Sequence, residues 1–291
     1  MRLVSYERND QRSIGALTAV GIIDFPTVSG GELPADMLTF LQQGETALAR
    51  AKETVAKGRS GIPLPDVRLL APVPKPGKII GIGLNYADHA AEGGREKPKY
   101  PVIFSKAVSA VIANGEPIQI PFVTEMVDFE GELAVVIGKR AKEVSSKDAL
   151  NYVAGYTICN DVSGRDYQER SSPTAGKSFD TFAPLGPAIV TRDEIPDPHS
   201  LDIRTIVSGA EMQHSNTRHL LFNVNYLIDY LSHIFPLEPG DIISTGTPSG
   251  VGWFRNPPRF LKPGDTVRIE VEKVGILQNP VVASLESVRE V

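Results

Sequence analysis

One stretch limits the fold more than any other. Val127-Asp128-Phe129-Glu130-Gly131-Glu132-Leu133-Ala134-Val135-Val136-Ile137-Gly138 ends in a continuous apolar run of strand length, the signature of a strand covered on both faces. Side chains two apart on a strand point to one face, so Glu130 and Glu132 share a face, with Cα atoms roughly 6.5–7 Å apart. Two readings are open. At a solvated strand edge such acids are ordinary. In a strand entering a core they are costly unless neutralised. A hard divalent cation neutralises them, and oxygen-only donors favour Mg²⁺, Mn²⁺ or Ca²⁺ over zinc. Asp161 closes a second apolar strand, Gly155-Tyr156-Thr157-Ile158-Cys159-Asn160-Asp161; it is either a turn residue or a third carboxylate for the same ion. Asp128 has the matching parity but lies too far along, and reads as structural.

The rest of the chain reads as mixed and β-rich. Residues 1–25 alternate apolar and polar between turn signals, as short strands do. A helix is expected over 35–57, with Met37, Leu38 and Leu41 continued by Leu48, Ala51 and Val55 on one face and Gly58 as its stop. Pro72, Pro74 and Pro76 then exclude helix and central strand. This places a boundary between a small α+β domain, 1–71, and a larger one, 72–291. Strands are expected at Lys78–Gly83, Val102–Ser105, Glu132–Ile137, Gly155–Asn160, Ala188–Thr191, Asp241–Gly246, Thr266–Val271 and Val281–Leu285, a sandwich- or barrel-like set. One packing helix carries Leu220, Val224, Leu227, Ile228, Leu231 and Phe235, with Asn216 or Thr217 as its cap. His219 and His233 read as capping or surface residues.

Bulk properties narrow the function. With 291 residues and 41% apolar content, the chain can bury roughly 75% of its unfolded surface. The net charge of −5 argues against nucleic acid as a partner. A single cysteine, Cys159, excludes an internal disulfide and disfavours a Cys/His zinc site. MRLVSYERND carries charge where a secretory signal needs an apolar stretch, and no run approaches the ~18 apolar residues of a membrane span. A cytoplasmic location without membrane association is expected. Gly81-Ile82-Gly83-Leu84-Asn85-Tyr86 resembles the start of a dinucleotide fingerprint, but it has Tyr where the third Gly belongs and no βαβ unit follows.

Five segments together carry a resemblance: Gly83-Leu84-Asn85-Tyr86-Ala87-Asp88-His89-Ala90-Ala91-Glu92; the Asp128–Gly138 strand; Asn160-Asp161-Val162-Ser163-Gly164-Arg165-Asp166-Tyr167-Gln168; Gly176-Lys177-Ser178-Phe179-Asp180; and Pro239 to Gly252, with Thr245-Gly246-Thr247-Pro248 at its centre. In this order and spacing they resemble the fumarylacetoacetate hydrolase superfamily. The resemblance implies a β-roll or barrel-like catalytic domain, usually a homodimer, with Glu130, Glu132 and Asp161 as ligands of Mg²⁺ or Mn²⁺. It matches His89 and Glu92, one helical turn apart, to a catalytic dyad in which the carboxylate orients the imidazole as a base. It gives Lys177 the stabilisation of developing enolate charge. It puts Arg165, Gln168, Thr247 and Lys106 near the substrate, with Arg165 equally readable as a brace held by Asp166.

The activity implied is metal-dependent hydrolysis of a C–C bond in a small 2,4-dioxo acid of the acylpyruvate or fumarylpyruvate type, giving pyruvate and a carboxylic acid. The alternatives on the same fold are an oxaloacetate-type decarboxylase, a hydratase or isomerase of aromatic catabolism, and an inactive metal-binding homologue. Ser171-Ser172-Pro173-Thr174-Ala175, beside the pocket, leaves the substrate open.

Overall fold

The computed structural model describes residues 1–58 and 60–284. Its spine is an 11-stranded sheet whose main path runs Gly21–Asp24, Gln11–Thr18, Arg2–Arg8, Ala183–Thr191, Val153–Asn160, Gly131–Ile137, Ile242–Ser244, Ile79–Gly83, Val102–Ser105. A five-stranded sheet packs against it in the order Ala210–Asn216, Asp202–Val207, Thr266–Val271, Gly275–Ala283, Ile118–Ile120. The expected mixed, β-rich architecture is what the chain adopts.

The Gly131–Ile137 strand is buried at every position. Leu133, Val135 and Ile137 face the core shared with the second sheet and the Val224–Ile234 helix. Ala134 and Val136 face a second core, built with Met37, Phe40, Ala47 and Ala51 of the N-terminal helices. Strict alternation therefore feeds both layers from one strand and puts Glu132 on the parity of Ala134. Gly131 lets the sheets approach: a Cβ there would lie 2.2 Å from Thr205 Oγ1. Gly131→Ala is expected to destabilise the protein by about 1–3 kcal/mol through overpacking, read as a lower denaturation midpoint; an unchanged midpoint would show that the sheets can separate freely here.

Long-range pairing corrects several local expectations. The helix expected over 35–57 is two helices, Met37–Gln42 and Gly44–Lys57, because Gly44 adopts φ +61°, a left-handed conformation that ends the first helix. The packing helix starts at Val224 with Asn223 as its cap. Asn216 instead caps a short 3₁₀ turn, Thr217–His219, and Leu220 is drawn out of helical geometry by a bridge to Tyr86. His219 and His233 are exposed, as expected. The last expected strand is the end of Gly275–Ala283; Leu285 lies outside the described residues. The Arg2–Arg8 strand pairs Arg2 with Val190 and Leu3 with Ile189, so the N-terminal strands extend the same sheet. We keep 1–71 and 72–291 as a proposed division. Among the described residues no helix is long and apolar enough to cross a membrane.

Candidate metal and active site

The Gly131–Ile137 and Val153–Asn160 strands pair antiparallel, with Glu132 opposite Cys159 and Gly131 opposite Asn160. Just beyond the ladder, Asp161 N–H donates to Glu130 O (2.8 Å) and Glu130 N–H to Asn160 Oδ1 (3.1 Å). This register brings Glu130, Glu132 and Asp161 together, each buried, with one carboxylate oxygen from each inside a mutual 4.8 Å. Glu132 is held on one side only. Ser244 Oγ donates to its Oε2 (2.6 Å), as does Gly246 N–H (2.8 Å), so both bonds fall on one carboxylate oxygen. Gly246 sits at φ +105°, where a Cβ would lie 2.7 Å from that of Asn85. Asn85 in turn donates to Thr245 O and Phe222 O and accepts from Phe222 N–H. This bolts the Gly83–Glu92 segment onto the Thr-Gly-Thr-Pro turn.

Three cations surround the acids. Lys177 Nζ donates to Asp161 Oδ2 (2.5 Å), Glu130 Oε2 (2.8 Å) and Ser163 Oγ (2.8 Å). Lys106 Nζ donates to Asp161 Oδ1 (2.5 Å) and Val162 O (3.2 Å), with its side chain fully buried. Arg165 contacts Glu130 Oε1 at 2.7 Å. Burial pushes Glu130 up, but Lys177 and Arg165 outweigh it and hold its carboxyl far below the usual range. Glu132 is the reverse: burial, then the charges of Asp161 and Glu130, raise it to about 8. Burial lowers Lys106 more than Asp161 restores it. For Lys177, Asp161 and Glu130 outweigh burial and raise it.

This donor set fits a hard divalent cation. It is all oxygen, one of its acids is raised by burial among like charges, and every carboxylate oxygen that accepts one hydrogen bond keeps a second lone pair. Ser244→Ala frees Glu132 from its anchor and is expected to weaken Mn²⁺ binding about 10–100-fold, measured by titration calorimetry. Unchanged affinity would show that Gly246 N–H alone suffices.

The dyad forms as its spacing predicts. His89 and Glu92 lie on the Ala87–Glu92 helix with Nδ1 and Oε1 2.9 Å apart, which leaves Nε2 on the side of the ring away from Glu92. Glu92 Oε2 accepts from Gly250 N–H (2.8 Å), and Ser249 Oγ donates to Asp88 Oδ2 (3.0 Å). These contacts tie the dyad helix to the turn that anchors Glu132.

The expected substrate-side residues are largely occupied by protein. Arg165 donates through Nε and Nη2 to Asp128 Oδ2 (2.9 and 2.7 Å) and through Nη1 to Gln168 Oε1 (3.1 Å). Its brace is thus Asp128, not Asp166, which accepts from Thr124 Oγ1 instead. Asp128 also accepts from Phe129, Gly252 and Trp253 N–H, a structural hub. Thr247 Oγ1 donates to Gly131 O and accepts from Gln213 Nε2, so a substrate carboxylate would have to meet its backbone N–H. Sequence reasoning did not single out Ser244 or Gly250, whose partners lie 112 and 158 residues away, nor Ser163, which meets Lys177 14 residues on. It also missed Trp253 and Phe254, whose rings stack at 5.1 Å beside the site.

Comparison with known proteins agrees with this geometry. The family model described as fumarylacetoacetate (FAA) hydrolase C-terminal matches residues 78–282. The chain belongs to the fumarylacetoacetate hydrolase family. Among curated members of that family, the oxaloacetate tautomerase of Xenopus laevis, named as mitochondrial, is 45% identical over 97% of this chain and 90% of its own length. Among solved structures, the fumarylacetoacetate hydrolase of Exiguobacterium antarcticum has TM-score 0.83 and 34% identity, covering 98% of this chain and 100% of that one. The maleylpyruvate hydrolase of Sphingobium sp. SYK-6, solved with manganese(II) and pyruvate, has TM-score 0.81 and 32% identity, with the same coverage. Fumarylacetoacetate hydrolase family enzymes thus share both the fold and, in one neighbour, a bound divalent ion.

Proposed function

We propose that this protein is a divalent-metal-dependent keto–enol tautomerase of a small 2-oxo diacid, oxaloacetate or a close analogue. The observation that carries this reading is the 45% identity to an oxaloacetate tautomerase across nearly the whole of both chains. It favours the isomerase branch of the family over C–C hydrolysis. The site chemistry supports it, because tautomerisation needs a base, an enolate-stabilising environment and no nucleophilic water.

Glu130, Glu132 and Asp161 would hold Mg²⁺ or Mn²⁺, which when bound supplies Lewis-acid polarisation of the keto oxygen. His89 Nε2 removes a proton from C3, and the electron pair of that C–H bond moves through C2 to the keto oxygen. Glu92 stabilises the imidazolium so formed. Lys177 and Lys106 keep the floor of the site cationic while the oxygen carries negative charge. Protonation of that oxygen gives the enol, and the reverse sequence gives the ketone. The three N–H bonds of Lys177 are taken by Glu130, Asp161 and Ser163, so it acts by charge or by exchanging one partner. We place Arg165 and Gln168 as the rim that holds Glu130 in position, and Lys106 as acting through Asp161.

The test is the ultraviolet absorbance of enol-oxaloacetate mixed with protein and Mg²⁺, run beside acylpyruvates assayed for pyruvate release. Accelerated loss of the enol without acylpyruvate cleavage supports the reading. Cleavage with no effect on the enol sinks it. The second reading, C–C hydrolysis, is favoured by the likeness to the maleylpyruvate hydrolase; there the same dyad would activate water. We also propose a homodimer in the cytoplasm, although several curated relatives are named as mitochondrial. Light scattering at the monomer mass would refute the dimer.

A further inference from the structure

One loop runs across the site from the carboxylates to the dyad. Arg165, 2.7 Å from Glu130, lies under the Trp253 ring at 5.2 Å. Trp253 stacks on Phe254 at 5.1 Å with an interplanar angle of 13°. Phe254 reaches His89 at 6.0 Å between ring centroids. The loop is braced: Gly252 and Trp253 N–H donate to Asp128, and Arg255 donates to Gly250 O and Met212 O. The far edge of Phe254 rests on Gly93, where a Cβ would lie 3.0 Å from Cζ. The stack and Gly93 thus fix the Phe254 ring from two sides, while the residue keeps 36% of its surface exposed.

Phe254 is beside His89 and joined through Trp253 and Arg165 to Glu130, so a substrate held at the carboxylates with C3 at His89 would have this ring next to the rest of its chain. We propose that Phe254, backed by Trp253, is the specificity-determining wall that limits the site to compact 2-oxo diacids and turns away 2-oxo acids with bulky groups beyond C4. This inference rests on the tautomerase reading for its small substrate, and on packing for the wall. Rigid walls discriminate by size because close-packed side chains yield little, and a single methylene in such a pocket changes kcat/KM by about 10–200-fold.

The experiment compares wild type, Phe254→Ala and Phe254→Trp in Mg²⁺. Keto–enol conversion of oxaloacetate and of benzoylpyruvate is followed by absorbance, and binding of oxalate and N-benzyloxamate by calorimetry. The expected result is a benzoylpyruvate-to-oxaloacetate ratio of kcat/KM at least about tenfold higher in Phe254→Ala and lower in Phe254→Trp, with N-benzyloxamate tightening relative to oxalate in the Ala variant. Oxalate is too short to reach the ring and reports whether the chelating end is intact. An unchanged ratio in both variants overturns the proposal. So does an equal fall for both substrates with oxalate binding preserved, which would make Phe254 only a support for the dyad helix. If wild type does nothing to oxaloacetate but N-benzyloxamate still tightens on Phe254→Ala, the tautomerase reading fails and the wall stands.

Discussion

Glu132→Gln is expected to abolish divalent-metal binding and activity while leaving the fold intact, whereas Asp161→Asn is expected to damage both. The difference follows from how each acid is compensated. Glu132 is buried among other acids and is raised to about 8 by that burial and by Asp161 and Glu130, so in metal-free protein near pH 7 it is mostly protonated. Gln imitates that form and can still accept from Ser244 and Gly246. Asp161 carries the charge for two buried lysines. Removing that charge strands Lys106, which has no second carboxylate partner among the described residues, and a buried unpaired ion costs about 3–5 kcal/mol. Denaturant midpoints and Mn²⁺ titrations of the two variants check this. Equal stability losses would show that the charge ledger of the site is wrongly drawn.

The same contrast yields a pH dependence. Glu132 has a folded pKa raised above its ordinary 4.5. Its contribution to the stability of metal-free protein is therefore fully present below about 4.5 and is lost as pH rises through about 8. Metal binding runs the other way, because the ligand must be ionised: affinity climbs as pH approaches 8 and then levels. Other groups also titrate, so the stability measurement is the difference between metal-free wild type and Glu132→Gln across that window, and the affinity measurement is a metal titration of wild type alone. A metal affinity that is flat with pH would remove Glu132 from the ligand set.

The second large effect is at the dyad. His89→Ala is expected to reduce turnover by about 10²–10⁴-fold, and Glu92→Gln by somewhat less, with Mn²⁺ affinity nearly unchanged in both. The reason is geometric. His89 and Glu92 bond to each other and Glu92 to the Gly250 turn, while none of the hydrogen bonds that hold Glu130, Glu132 and Asp161 comes from either side chain. Steady-state kinetics beside a metal titration separates the two roles. Unimpaired turnover in His89→Ala would refute its assignment as base.

What could be read from the sequence was what depends on neighbours in the chain. The shared face of Glu130 and Glu132 follows from the two-residue repeat of a strand, and the His89–Glu92 contact from one helical turn. What could not be read depends on pairs far apart. Ser244 meets Glu132 across 112 residues, and Arg165 finds Asp128 across 37, where the local signal pointed to its neighbour Asp166. Leu220 fits the helical repeat of its segment, yet a bridge to Tyr86 takes it out of the helix. Thr247 has the composition of a ligand-binding turn, but Gly131 O and Gln213 occupy its hydroxyl. Joining the first strand to Ala183–Thr191 is likewise a tertiary choice that no local pattern encodes.

The most direct test of the whole account is the decay of enol-oxaloacetate with protein stripped by chelator and then titrated with Mg²⁺ or Mn²⁺. Stripped protein is expected to show the uncatalysed rate, the rate to rise and saturate with added metal, and Glu132→Gln to show no such rise. Full acceleration by stripped protein, or none at any metal concentration, would contradict this.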